Sequence, residues 1–208
     1  MESFHHLPDE KQQRIVNAAL KVFAEYGYDK ASTNKIVAEA GIGKGMLFYY
    51  FKNKAALFTY LIDFAIEKIK TGYLDEIDVS ERDFFKRAID LTVEKSRFFK
   101  AYPDLSTFLN KVILDTPDRM SADQQRQIAD LTESTQKAVY ENIDESLFRD
   151  DIDPKKAIQL IQWVLAGYEK SLTEQLKHQD LQRIDFDMLF DEFYDYMDVL
   201  KTSFYKKG

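Results

Sequence analysis

The residues best suited to chemistry lie between Thr33 and Lys54, in the run TNKIVAEAGIGKGMLFYYFKNK. Their types suit a phosphate backbone. Thr33 falls at the start of a helical pattern, where free backbone N–H groups and the helix dipole attract an anion. Lys44 and Gly45 open a second short pattern, and Gly45 lets a groove wall or a base come close because it has no side chain. Tyr49 and Tyr50 carry hydroxyls that can donate to phosphate oxygens. Lys52 and Lys54 add charge, and Met46 or Phe48 could meet a thymine methyl in a major groove. Packing competes for some of these residues. Leu47 and Phe51, four apart, are expected to form the buried face, and Lys52 alone fits a solvated surface. Two adjacent tyrosines cannot both enter one core, so at least one of Tyr49 and Tyr50 faces outward.

The elements that position these residues read as helices throughout. Ile15, Ala19 and Phe23 recur every four residues, which predicts a helix over 9–26 that ends at Gly27. Ser32 or Thr33 can cap a second helix reaching Ala40. Gly41-Ile42-Gly43 breaks the pattern before a third helix over 44–50. Two short helices around a glycine turn have the shape of a helix-turn-helix. A fourth helix is expected over 54–70, then a linker over 73–79. Ser80 is expected to cap a fifth helix, and Pro103 separates it from a sixth. Ser121 with Gln124 is a capping box. It opens a seventh helix expected to continue through Leu147. Asp153-Pro154 starts an eighth, apolar on most sides, and Asp185 is expected to cap a ninth ending near Phe204.

Composition narrows the function classes. The chain has 208 residues, no cysteine and a formal net charge of −7. With no cysteine there are no disulfides, thiolate metal sites or Cys nucleophile, which fits a reducing compartment. No run of roughly 18 apolar residues would span a membrane, and residues 1–6 lack a secretion pattern, so a cytoplasmic protein is expected. Charge is uneven: residues 1–60 hold eight basic and six acidic side chains, whereas residues 61–208 hold 21 basic and 30 acidic ones. This hints at a head that meets a polyanion and a body that avoids one.

Residues 10–60 resemble the DNA-binding head of the TetR family of bacterial transcriptional regulators. The resemblance rests on IVNAALKVFAEYGYDKAST (15–33), IVAEAGIGKGMLFYYFKNKAALF (36–58) and the spacing between them. It implies an all-α, nine-helix architecture: a helix-turn-helix domain over 1–53 and a larger ligand-binding and dimerisation domain over 54–208. It implies a homodimer through the last two helices, with each third helix in a major groove of a palindromic operator on double-stranded DNA. A small-molecule effector bound in the body would release the DNA, making the chain a repressor. Carried over by position, Thr33, Tyr49, Tyr50 and Lys54 would hold phosphates, and Lys44, Gly45, Met46 and Phe48 would lie against bases. Two departures bear on this. Gly43 stands where a capping Ser or Thr is common, and Met46 and Phe48 replace the commoner Thr and Tyr.

The effector site is expected among the fifth to eighth helices, with Phe99, Tyr102, Phe108, Tyr140, Trp163 and Tyr168 as candidate lining residues. Such residues select an apolar or amphipathic molecule. Phe193 is expected to be an outward apolar position in the dimer contact. Gly41-Ile42-Gly43-Lys44-Gly45 lacks the spacing and the following Ser or Thr of a nucleotide loop. His5 and His6 fall in an expected frayed tail, and His178 near a helix end. Neither pattern predicts a metal site or a cofactor. Asp187, Asp191, Glu192, Asp195 and Asp198 read as a solvated face, and no Ser or Thr has a His nearby. The sequence therefore predicts no enzyme. The alternative reading is a helical sensor or carrier of apolar ligands without DNA binding.

Overall fold

Gly27 decides the shape of the first long helix. The computed structural model describes residues 2–176 and 186–207. In it, helix α2 (Asp9–Lys30) passes the expected stop, but Gly27 sits at φ 69° and ψ 173° inside it. Those angles are open almost only to glycine, so the helix kinks there. A last turn then closes with Ala31 N–H on the Gly27 carbonyl at 3.1 Å.

The remaining helices are α1 (Glu2–His5), α3 (Thr33–Ala40), α4 (Lys44–Phe51), α5 (Lys54–Gly72), α6 (Phe84–Ala101), α7 (Pro103–Asp115), α8 (Ala122–Tyr140), α9 (Pro154–Leu176) and α10 (Phe186–Phe204). The fold is all-α, and the nine expected helices are α2 to α10. Helix α1 is the addition. The segment expected to fray is instead anchored by Phe4, which is fully buried.

Two further boundaries depart from expectation. Helix α6 starts at Phe84, and Asp83 rather than Ser80 is its cap: Asp83 Oδ1 accepts from Phe85 N–H at 2.9 Å. Ser80 N–H is taken by Asp78 at 2.8 Å. Helix α8 stops at Tyr140 instead of reaching Leu147, because Asn142 adopts a left-handed φ of 56°, which Asn tolerates better than most residues. Other start signals hold. Gln124 N–H donates to Ser121 Oγ at 3.1 Å while Ser121 N–H donates to Gln124 Oε1 at 3.0 Å, and Lys155 N–H donates to Asp153 Oδ1 at 3.0 Å. Asp185 and His178 lie outside the described residues.

The chain divides into two compact units, and α6 and α8 contribute residues to both. The first contains α1 to α5, α7 and parts of α6 and α8. Its centre is aromatic: Phe58 lies 5.0 Å from Phe23 and 5.3 Å from Phe108, both edge-on. Such pairs add ~0.5–1.5 kcal/mol each beyond the area they bury. Gln124 fastens α8 to α5, its Nε2 donating to Asp63 Oδ1 at 2.6 Å and to the Thr59 carbonyl at 3.1 Å.

The second unit is built on Phe84, Phe85, Phe148, Ala157, Ile161, Phe193, Met197 and Tyr205. Phe193 is thus a core residue and not an outward position, because it packs beside Tyr168 at a ring distance of 6.2 Å. Arg87 is 1% exposed and donates to four main-chain carbonyls: Glu81 at 2.5 Å, Glu141 at 2.6 Å, Val79 at 3.0 Å and Ala138 at 3.1 Å. Burial holds its pKa below the usual guanidinium value. Tyr205 donates its hydroxyl hydrogen to Asp83 and accepts from Phe84 N–H, and burial raises its phenol pKa. Helices α9 and α10 leave Leu160, Trp163, Val164, Tyr196 and Val199 on the surface, with Trp163 at 65% exposure. No described helix is long and apolar enough to cross a membrane.

Candidate nucleic-acid interface

The interface is assembled by a turn that only a few residues allow. Ser32 caps α3, its Oγ accepting from Asn34 N–H at 3.2 Å, so Thr33 is the first helical residue and is half-buried. At the far end Gly41 takes a left-handed φ of 62°. Ile42 N–H then reaches the Val37 carbonyl at 3.1 Å and Gly41 N–H the Ala38 carbonyl at 3.3 Å. This closure satisfies the helix's last acceptors and swings the chain into α4. Arg14 of α2 adds a cation at the same end, its Nε donating to the Ala40 carbonyl at 2.9 Å. Lys21 pairs with Glu39 at 2.5 Å, and that hydrogen bond raises the lysine pKa. The turn into α4 is therefore set by local geometry, and two contacts from α2 hold the end of α3.

Helix α4 has two faces. Leu47, Tyr50 and Phe51 are buried, whereas Lys44, Gly45, Met46 and Tyr49 are exposed. Phe48 is half-buried, with the Lys44 ammonium 6.0 Å from its ring centroid. The two tyrosines separate as their adjacency requires: Tyr49 is 72% exposed and Tyr50 only 8%. The Tyr50 ring thus belongs mainly to the packing face. Gly43 precedes the helix with no side-chain cap, so the first amides of α4 have no capping oxygen from that residue.

Lys54 reaches back to the end of α2. Its ammonium donates to the carbonyls of Tyr28 at 2.7 Å, Ala31 at 3.0 Å and Asp29 at 3.4 Å, and lies 4.5 Å from the Tyr28 ring centroid. It closes the carbonyl end of α2, and a phosphate would have to compete with those partners. Asn53 beside it caps α5, its Oδ1 accepting from Ala56 N–H at 2.8 Å. Lys35, not among the expected contacts, is exposed on α3 with its ammonium 3.6 Å from the Tyr26 ring centroid. Arg14 was also missed as a positioning residue. It falls on the polar side of α2, and nothing local signals its target 26 positions away.

The candidate effector residues divide between the units. In the first, Phe108 is core against Phe23 and Phe58, Phe99 is half-buried, and Tyr102 is exposed beneath the Lys68 ammonium at 5.3 Å. Phe108 also borders a cleft of about 20 Å³ with Tyr28 and Thr116, room for about one water and not for an effector. In the second unit, Tyr140 stacks on Phe84 at 5.8 Å and Tyr168 lies 5.4 Å from Tyr196. Trp163 lies on the surface. Among the described residues no group of His, Asp and Glu could hold a metal ion.

Residues 15–61 match the family model described as bacterial regulatory proteins, tetR family. Curated relatives include the HTH-type transcriptional regulator YuxN of Bacillus subtilis, 36% identical over 32% of this chain and 23% of its own length. The fatty acid metabolism regulator protein of the same organism is 33% identical over 41% of this chain and 43% of its own. IcaR of Staphylococcus aureus, a negative transcriptional regulator of a biofilm operon, is 25% identical over 65% of this chain and 70% of its own. The matches span about a quarter to a third of the first two curated relatives, YuxN and YerO. A TetR-family regulator from Chloroflexus aurantiacus has the same fold over 100% of this chain and 99% of its own, with a TM-score of 0.63 and 24% identity. Residues 15–61 thus match the tetR-family model, and the chain shares the fold of a solved regulator of that family.

Proposed function

We propose that this chain is a transcriptional repressor that binds a palindromic operator as a homodimer and is released by a small effector. The observation that carries the reading is the divided surface of α4. Lys44, Gly45, Met46 and Tyr49 are exposed together on a helix held from behind by Leu47, Tyr50 and Phe51. In the major groove that outer face would set Lys44 and Gly45 against bases. Met46 and Phe48 would meet thymine methyls, and Tyr49 and the Thr33 end of α3 would meet phosphates. Tyr50 and Lys54 act from behind, by packing and by capping. The head over 1–53 would bind DNA and the body over 54–208 would hold the effector and the partner protomer.

The exposed apolar residues of α9 and α10 support the dimer. Trp163 and Val199 are 65% and 63% exposed in the single chain, a surface that a two-fold contact would cover. An amphipathic effector suits the body. Ser96 Oγ and Tyr168 Oη are buried without a hydrogen-bond partner in the protein, and the polar end of a ligand would satisfy them. Such a regulator would act in the cytoplasm, where its operator is.

The test is fluorescence anisotropy with the DNA flanking the chain's own gene, against unrelated DNA of equal length, at two salt concentrations. Preferred binding that weakens as salt rises is expected, since each neutralised phosphate contributes a log–log slope of about −0.9. Absence of any preference across a genomic selection of sites would overturn the reading in favour of a ligand sensor.

A further inference from the structure

Helix α1 supplies the head with an element outside residues 15–61. Phe4 is fully buried, and its ring lies 4.8 Å from Phe51, 5.4 Å from Tyr60 and 5.8 Å from Tyr50. Phe51 and Tyr60 are themselves 5.3 Å apart, so Phe4, Phe51 and Tyr60 form one side of an aromatic box behind α4, and Tyr50 joins it through Phe4. Burial in this box raises the Tyr60 phenol pKa. The segment is fastened from α2: Gln12 Nε2 donates to the Leu7 carbonyl at 2.8 Å and the His5 carbonyl at 3.3 Å. Leu7 N–H donates to the Phe4 carbonyl at 3.1 Å.

Helix α4 depends on what packs behind it. It has eight residues, starts at Gly43 without a side-chain cap and ends at Lys52 with φ 59°. A helix that short does not hold its shape alone in water. Its rear residues Tyr50 and Phe51 both touch Phe4, and Tyr50 passes the contact to Tyr49, 5.4 Å away edge-on.

We propose that Phe4 is a positioning residue for DNA recognition. Through Tyr50 and Phe51 it fixes the rotation of α4 and so the place at which Tyr49 and Lys44 meet the operator. The DNA side of this inference rests on the function proposed above. The hold on α4 does not.

Phe4→Ala, Phe4→Leu and a chain lacking residues 2–7 test it. Without DNA, hydrogen exchange compares amides 46–52 with amides 105–112 of α7. Phe4→Ala and the deletion are expected to speed exchange across 46–52 by about tenfold or more and leave α7 unchanged, while Phe4→Leu restores most of the protection. With DNA, the preference for operator over unrelated duplex is expected to fall by about tenfold for Phe4→Ala, with an unaltered salt slope because no phosphate contact is lost. Unchanged exchange in α4, or equal acceleration across α4 and α7, would overturn the proposal. A wild-type chain without sequence preference would defeat the DNA-binding reading alone, since the exchange pattern still decides whether Phe4 holds α4.

Discussion

Replacing Lys54 with methionine separates two roles that one lysine could fill. The substitution keeps the unbranched stem and removes the charge, so packing along the stem is retained. It loses three hydrogen bonds to the carbonyls of Tyr28, Ala31 and Asp29, at 2.7, 3.0 and 3.4 Å, and a cation 4.5 Å from the Tyr28 ring. Hydrogen bonds from a charged donor contribute ~1.5–3 kcal/mol and a cation over an aromatic face ~0.5–1 kcal/mol. Lys54 is half-buried, so water recovers part of this loss. A net cost of about 2 kcal/mol follows, and at a urea dependence of about 2–3 kcal/mol per molar the midpoint drops by about 0.7–1 M. Urea titration followed by circular dichroism at fixed protein concentration measures it. Operator titration at several salt concentrations provides the second readout, and its slope should match wild type. An unchanged midpoint together with a slope shallower by about 0.9 would refute the capping role and return Lys54 to the phosphate backbone.

Gly27→Ala should cost ~1–3 kcal/mol by thermal melting, because φ 69° with ψ 173° strains any residue with a Cβ even though open space surrounds the site. Arg87→Met should destabilise the chain by about 3 kcal/mol in the same assay, since it strips four part-buried carbonyls of their donor; a neutral result would mean that water serves them equally well. Trp163→Asp should shift light scattering toward monomer with little loss of helix, whereas Phe193→Asp, which places a charge in the core, should unfold the second unit. A Trp163→Asp protein that stays dimeric would place the partner contact elsewhere.

Local chemistry was legible in the sequence and distant chemistry was not. Ser32, Gly41, the Ser121–Gln124 box and Asp153-Pro154 act within a turn of themselves, and each appears in the structure where its residue type asks for it. Asp83 and Ser80 were both competent caps, and only the start of the packed stripe at Phe84 decides between them. Asn142 ends α8 by a left-handed turn that a continuing apolar pattern through Ile143 and Leu147 concealed. Phe4 shows no periodicity, so its burial follows from the box that α4 and α5 offer it. The faces of α4 were predictable from Leu47 and Phe51. The choice between the two tyrosines needed the tertiary neighbours of Tyr50. Lys54 looked like a surface cation because its carbonyl partners lie 23 to 26 positions away.

Gly43 leaves the first turn of α4 without a side-chain cap. The Gly43 carbonyl accepts from the Met46 and Leu47 amides at 3.0 and 3.3 Å, so the Lys44 and Gly45 amides are left to solvent, and in the proposed complex a phosphate oxygen would replace that water. Docking and completion of the helix would be one event, so part of the binding energy is spent on ordering. A duplex that could not deliver the oxygen in register would gain neither the contact nor the finished helix, and would be rejected twice. A serine at position 43 would finish the helix in advance, and the gain in affinity would be shared by wrong sites as well as right ones. Under the function proposed above, the missing hydroxymethyl group would act as a device for discrimination.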